Sequence, residues 1–374
     1  MIFSRADVLI PSPTIDLEKW SVIACDQHSA EPEYWDALDR FVGNAPSTLR
    51  MMLPEAYLDR DAVQEAESIH ETMQHYLENG VFTELHDSYI YAERTLPSGA
   101  VRRGLVGKVD LDQYDYRKGS VSPIRATEGT VEERLPPRVR IRSEAPLEMP
   151  HIMIFIDDPE DYVFSSVEPG QLLYDFTLNC GGGHLIGRQI TGSAADRIDS
   201  AFTRLSDAAK NKYSGYAPVV LAIGDGNHSL ATAKKCGDHD AMAEIVNIND
   251  PAIVFEPIHR VLFGTDTTDF IRQYGSSITR LERTDDYASL IAETDRFCKD
   301  YLARHGGTVD YIHNDDAAIE MGSRENCAAI LLPTLDKRTL FDSVVKHGPF
   351  PKKSFSIGQA AEKRYYLECR KLGR

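Results

Sequence analysis

Several protein classes are excluded by what this chain lacks. Its six cysteines, Cys25, Cys180, Cys236, Cys298, Cys327 and Cys369, are scattered and form no C-x-x-C pair. That spacing fits neither a zinc ribbon nor a disulfide frame, and it reads as reduced thiols of a cytosolic protein. No run of ~18 apolar residues occurs, so no membrane-spanning helix is expected. The opening residues, Met-Ile-Phe-Ser-Arg-Ala-Asp, carry no apolar stretch of signal-peptide length, and a cytoplasmic location is expected. There is no Walker loop, no G-x-G-x-x-G, no G-x-S-x-G and no H-E-x-x-H. Phosphate or metal chemistry here therefore needs a non-standard site. Internal repeats and low-complexity tracts are also absent.

Basic residues are in deficit. Lys and Arg total 41 against 58 Asp and Glu, a net charge of −17. Such a surface repels nucleic acid, whose non-specific binding depends on cations neutralising phosphates. Neither a nucleic-acid nor a membrane partner is expected. A small phosphorylated ligand remains compatible, because screening confines charge effects to roughly 8 Å at physiological salt. It needs a local basic pocket. The sequence leaves the oligomeric state open.

What is present is an ordinary globular composition, 42% hydrophobic and 26% charged over 374 residues. Strands are expected at 8–10, 21–25, 88–95, 101–109, 138–142, 151–156, 219–223, 243–246, 252–255, 261–263, 308–312 and 328–332. Helices are expected at 31–41, 62–77, 196–212, 287–304 and 360–371. The two kinds mix without strict alternation, which predicts an α+β (mixed α/β) fold. Three regions are expected: 1–115, a phosphate-binding core at 116–264, and 265–374 packed on that core.

The most informative stretch is Pro218 to Lys235. An apolar run, Val219–Ile223, feeds a turn at Gly224–Gly226, and a helix is expected from Ser229. A strand leading through glycine into a helix start gathers free backbone N–H groups and a partial positive charge, which suits a phosphate. Asp225 and His228 add acid/base or metal-binding capacity there. A purely structural turn satisfies the same local pattern.

Two kinds of segment supply cations against the acidic trend. Arg125, Arg134, Arg138, Arg140 and Arg142 fall within eighteen positions. Arginine forks match phosphate or carboxylate oxygens. Glu128, between Thr127 and Gly129-Thr130, is a candidate general base. The alternation of Arg138, Arg140 and Arg142 also fits one solvated strand face. His259-Arg260 follows an expected strand, and Lys352-Lys353 lies in a proline-stiffened loop at 348–358. Asp26, Gln27 and His28 end an apolar stretch and can bind metal, orient a base or hold a substrate amine. An Asx-type turn explains them equally.

Asp225-Gly-Asn-His-Ser229 resembles the Asp-Gly-His-His-Arg signature of a bacterial and archaeal family listed as a domain of unknown function and often described as ParB-like. Further segments resemble that family: Asp16 to Gln27, Glu31-Pro-Glu-Tyr-Trp35, Ala45-Pro-Ser-Thr-Leu49, Pro123-Ile-Arg-Ala-Thr-Glu128, Pro257-Ile-His-Arg260, Pro351-Lys-Lys-Ser354 and Glu362-Lys-Arg-Tyr-Tyr366. The resemblance implies a ParB/sulfiredoxin-like core with large additions, and a relation to free-serine kinases that use ADP, ATP or pyrophosphate. It implies phosphoryl transfer between such a donor and a small hydroxylated metabolite, L-serine first. On that reading Gly226, Asn227, His228 and Ser229 hold the donor, and Arg125, His259, Arg260 and Lys353 neutralise its charge. Glu128 takes the hydroxyl proton. Asp225 binds Mg²⁺ or orients His228, and Asp26, Gln27, His28 and Thr127 hold the acceptor. Ser229 stands where many relatives carry Arg, Asn227 where they carry His, and Ala126 where they can carry His, which leaves the donor's identity open. Rival readings are a phosphoserine-type phosphatase, a non-catalytic nucleotide-binding regulator and a metabolite-binding regulator.

Overall fold

The computed structural model describes residues 1–58, 60–168 and 170–373. Its contacts divide the chain into two compact units. The first comprises Met1–Ala126, Thr130–Ala252 and Ala360–Arg374, and the second Thr127–Gly129 and Ile253–Gln359.

The first unit holds strands β1 (Phe3–Ser4), β2 (Ala6–Pro11), β3 (Phe82–Thr95), β4 (Val101–Asp110), β5 (Ile124–Ala126), β6 (Leu147–Glu148), β7 (Met153–Ile156), β8 (Gln171–Thr177), β9 (His184–Ile190), β10 (Leu221–Asp225) and β11 (Asp240–Asn247). Its helices are α1 (Leu17–Trp20), α2 (Pro32–Val42), α3 (Ala62–Glu78), α4 (Leu135–Ser143), α5 (Tyr162–Ser165), α6 (Gly192–Lys212) and α7 (Asn227–Lys235). Ten strands form one mixed sheet in the order β5-β10-β7-β11-β4-β3-β9-β8, with β1 and β2 joined to β4 and β3. The period of two along each strand loads both faces. On β11, Ala241, Ala243 and Ile245 join one apolar cluster with α6 and α7, whereas Met242 joins the other with Trp20, α2 and α3. β5 and β10 run parallel at one edge. The C-terminal end of β10 thus delivers Asp225 near that edge.

The second unit has strands β12 (Phe255–Pro257), β13 (His259–Phe263), β14 (Ile278–Arg280), β15 (Thr308–Ile312), β16 (Cys327–Leu331) and β17 (Phe355–Ile357). Helices α8 (Thr268–Tyr274), α9 (Tyr287–His305), α10 (Asp315–Gly322) and α11 (Leu340–His347) accompany them. A four-stranded sheet runs β14-β16-β13-β15, with apolar clusters on both sides. The last strand, β18 (Arg370–Lys371), returns to the first unit and pairs with β6.

The mixed α/β class is therefore as expected. The three-region partition is not the one the contacts draw: β11 pairs with β4, and residues 360–374 rejoin the first unit, so 1–115 and most of 116–252 share one sheet. Residues 138–142 are helical, not a strand. Proline in the first turn of α4 supplies a pre-set φ and lacks an N–H that a helix start leaves unused anyway. Residues 360–371 are not a helix. After a short 3₁₀ turn the chain runs extended, with Tyr366 N–H on the Val22 carbonyl and Cys369 pairing Leu9. Ser21–Cys25 contributes one isolated bridge, Ile23 to Tyr365, and the strand expected at 252–255 starts only at Phe255.

Candidate functional site

The site is built on the β10–α7 junction. The strand carries on through Gly224 and Asp225, and the helix already begins at Asn227, so the turn is Gly226 alone. Gly226 has φ +77°, and a Cβ there would lie 2.9 Å from the Ile152 Cα. Both facts require glycine. No side chain caps α7. A helix start of this kind suits a ligand oxyanion. Asn227 Oδ1 is buried and has no hydrogen-bond partner among the described residues. His228 Nε2 accepts the Val131 N–H at 3.2 Å, which puts the proton of the neutral ring on Nδ1.

Asp225 uses one carboxylate oxygen to accept the Gly226 N–H at 3.0 Å; the other lies 3.3 Å from Lys363 Nζ. Lys363 is 8% exposed. Two buried arginines hold its backbone. Arg94 donates to the carbonyls of Gly182, Ala361 and Lys363, and Arg102 donates to that of Glu362. Arg364 fixes the next residue, with Nε on Glu244 at 2.6 Å, Nη2 on Glu368 at 2.7 Å and Nη1 on the Pro150 carbonyl.

Ser229, on the first turn of α7, meets a second group of side chains. Its Oγ lies 3.2 Å from His151 Nε2. Asp26 Oδ2 is 3.8 Å from the same nitrogen, and Gln27 Nε2 donates to Asp26 Oδ1 at 3.0 Å. Tyr366 Oη accepts the Cys25 N–H and lies 2.9 Å from His151 Nδ1, so its one proton goes to that nitrogen. Burial holds the Tyr366 phenol well above its ordinary value, which keeps that proton in place. Burial pushes Asp26 upward, but the neighbouring His151, the Gln27 hydrogen bond and Lys363 outweigh it, and its net shift is down. This is not a nucleophile relay. A relay needs the carboxylate and the hydroxyl on opposite ring nitrogens, and here both face Nε2. Burial pushes the Cys25 thiol up to about 11, which removes it as a nucleophile at neutral pH. His28 sits one turn away, its ring stacked on Tyr34 at 3.8 Å and Nδ1 3.2 Å from Glu31.

Among the expected cations of this unit, Arg125 points elsewhere. It donates to the carbonyls of Ser122 and Ala217, which precede β5 and β10, the end opposite the bend. Arg138 pairs with Glu55, and Arg142 with Glu148 and Asp238. Because α4 is a helix, Arg138 and Arg142 share a face, and Arg140 is exposed.

The second unit brings together Glu128, Lys353 and Arg260 from three distant parts of the sequence. Glu128 bridges to Phe350, and its Oε1 accepts the Ser354 N–H at 3.4 Å. Thr127 is buried, and its carbonyl accepts the Phe350 N–H. Arg260, fully buried, donates to the Lys353 carbonyl and pairs with Asp295 at 2.8 Å, while Nη2 has no partner among the described residues. Lys353 has φ +59°, and its side chain is exposed. His259 departs from the expected phosphate contact. Its Nδ1 accepts the Leu332 N–H, its Nε2 meets Asp315 at 2.8 Å, and it is fully buried. That histidine ties β13 to β16 and α10.

Sequence reasoning missed His151 as a site residue and Lys363 as the partner of Asp225. His151 precedes an apolar strand and Lys363 stands between Glu362 and Arg364, and only the fold turns them toward the bend. A resident Mg²⁺ does not fit Asp225, whose carboxylate already meets an ammonium and a backbone N–H. Among the described residues no three His, Cys, Asp or Glu side chains group as a metal site.

The fold and bend define a mixed α/β protein with an anion-suited helix start beside a buried lysine. Among the described residues, no helix is long and apolar enough to cross a membrane. The chain belongs to the family described as protein of unknown function (DUF1015), whose sequence profile matches residues 9–371. No curated protein matches. Among solved structures, a free serine kinase in complex with AMP aligns with a TM-score of 0.34 and 10% identity, covering 70% of this chain and 86% of that one. A mutant free serine kinase in complex with ADP gives 0.35 and 10%, covering 70% and 87%. A conserved hypothetical protein from Pyrococcus furiosus gives 0.30 and 11%, covering 70% and 90%.

Proposed function

We propose that this protein is a phosphotransferase that moves a phosphoryl group from pyrophosphate or a nucleotide to a small hydroxylated metabolite, with L-serine the first candidate. The observation that carries the reading is the uncapped start of α7 at Gly226, with the Lys363 ammonium held beside Asp225. Phosphoryl transfer needs positioning and charge neutralisation more than covalent help from the protein. The N–H groups of Asn227, His228 and Ser229 would receive phosphate oxygens, and Lys363 would balance their charge. Asp26, through Gln27 and His151, is suited to an acceptor's ammonium. The family resemblance assigns Glu128 the acceptor's hydroxyl proton, and Glu128, Lys353 and Arg260 belong to the second unit.

The test is to incubate the protein and Mg²⁺ with pyrophosphate, ATP or ADP and L-serine, and to follow O-phosphoserine by ³¹P NMR. Product from one donor, lost in Glu128→Gln while donor binding persists, is the expected result. A base of this kind contributes about 10²–10⁴-fold. Full turnover in Glu128→Gln would remove that residue from the chemistry. Absence of transfer to any hydroxylated acceptor from all three donors would sink the reading.

A further inference from the structure

Behind Ser229 the first unit has a half-open cavity of about 140 Å³. Five methionines line it, Met51, Met52, Met73, Met149 and Met242, out of eight in the whole chain. They come from four separate stretches of sequence, so no single amphipathic element accounts for their meeting. Leucine or isoleucine would fill the space with fixed shapes. Methionine is unbranched and polarizable, and it adapts to what enters. The charged residues on the wall are already matched, Arg138 with Glu55 and Arg142 with Glu148. They offer no unpaired charge to a ligand. The polar edge of the cavity is Ser229 and His151, which are bonded to each other. An apolar cavity of about 150 Å³ admits a benzene-sized guest.

We propose that this cavity is a binding site for the hydrocarbon end of a small amphiphile, about the size of a benzene ring or a six-carbon chain, whose polar end meets Ser229 and His151. The site does not depend on phosphoryl transfer, and it stands or falls whether or not O-phosphoserine is ever formed. Its shape also sets a filter. A guest with a charged group at the deep end would lose that group's hydration with no counter-charge to replace it.

The methionines supply the readout. The protein is labelled with [methyl-¹³C]Met and titrated with hexan-1-ol and with benzyl alcohol. The five cavity methyl signals are expected to move in a saturable way, while those of Met153 and Met321 stay still. A Kd on the order of 1 mM is what ligands this small can reach. Ala145 also lines the cavity. Ala145→Phe fills it and should abolish the shifts. Should that variant not fold, Met73→Ala enlarges the space and should raise affinity for octan-1-ol relative to hexan-1-ol several-fold. Shifts absent for both alcohols, equal across all methionines, or unchanged in the cavity-filling variant would each overturn the proposal. So would unchanged chain-length preference in Met73→Ala.

Discussion

Asp225 Oδ2 lies 3.3 Å from Lys363 Nζ, although one residue ends a sheet strand and the other lies near the end of the chain. Both are largely shielded from solvent, so neither charge can rely on water alone. Removing the cation leaves a poorly solvated carboxylate at the mouth of the helix start, where it repels an incoming anion. Lys363→Met is expected to cost about 1–3 kcal/mol of stability for the stranded partner. It should also weaken donor binding and lower any transfer rate by about 10²-fold, the scale of one lost charge-stabilising donor. Pyrophosphate titration calorimetry and urea unfolding of the same variant separate the two effects. Donor affinity unchanged in a folded variant would remove Lys363 from the anion site.

Gly226 is constrained twice, by φ +77° and by the Ile152 Cα at 2.9 Å from any Cβ. Gly237 has φ +83° with nothing within 4 Å. The pair separates backbone strain from collision. Gly237→Ala should lose about 1 kcal/mol, the ordinary cost of a left-handed non-glycine. Gly226→Ala should lose clearly more, because backbone atoms of Ile152 must move. Equal urea midpoints for the two variants would show that the bend relaxes freely.

The second unit should carry a pH dependence of its own. Burial lowers the His259 pKa below its ordinary 6.5, and its bond to Asp315 does not restore it. A histidine whose folded pKa is depressed adds stability that is fully present above the unfolded value. That stability is lost as pH falls through the folded value. Unfolding free energy should therefore decline below about pH 6.5 with a contribution that His259→Gln removes. NMR titration of the ring gives the folded pKa directly. A pKa above 6.5 would reverse the sign.

Much of this fold is legible in the residues. Val101–Val109, Thr308–Ile312 and Tyr287–Arg304 fall on β4, β15 and α9 because their periodicities are long and unbroken. Arg138, Arg140 and Arg142 mislead because alternation in polar residues carries no burial signal. Pro136 and Pro137 are the better guide to a helix start. The C-terminal segment misleads in the opposite sense. Arg364 and Glu368 do pair at i,i+4, yet in extended chain, because Glu244 and the Pro150 carbonyl grip the same guanidinium. Those partners lie far away in sequence. His151 and Lys363 escape for the same reason: their meaning as site residues depends on tertiary neighbours.

The Arg364 cluster gives the last prediction. Its guanidinium joins Glu244 and Glu368, all three nearly inaccessible, and Glu368 also accepts from Tyr174 Oη at 2.5 Å. Burial disfavours every one of these charges, and their mutual attraction offsets it. Arg364→Met alone strands two buried carboxylates and should cost about 3–5 kcal/mol. Adding Glu244→Gln and Glu368→Gln removes the stranded charges, so the triple variant should be more stable than the single one. Lys363 precedes Arg364 and Tyr366 lies two residues after it, so donor binding should suffer in both variants even where stability returns. That split between recovered stability and unrecovered binding is the mark of a positioning residue. Full recovery of both would reduce the cluster to structural support, while a triple variant no more stable than Arg364→Met would show that the attraction, not the stranding, sets the energy.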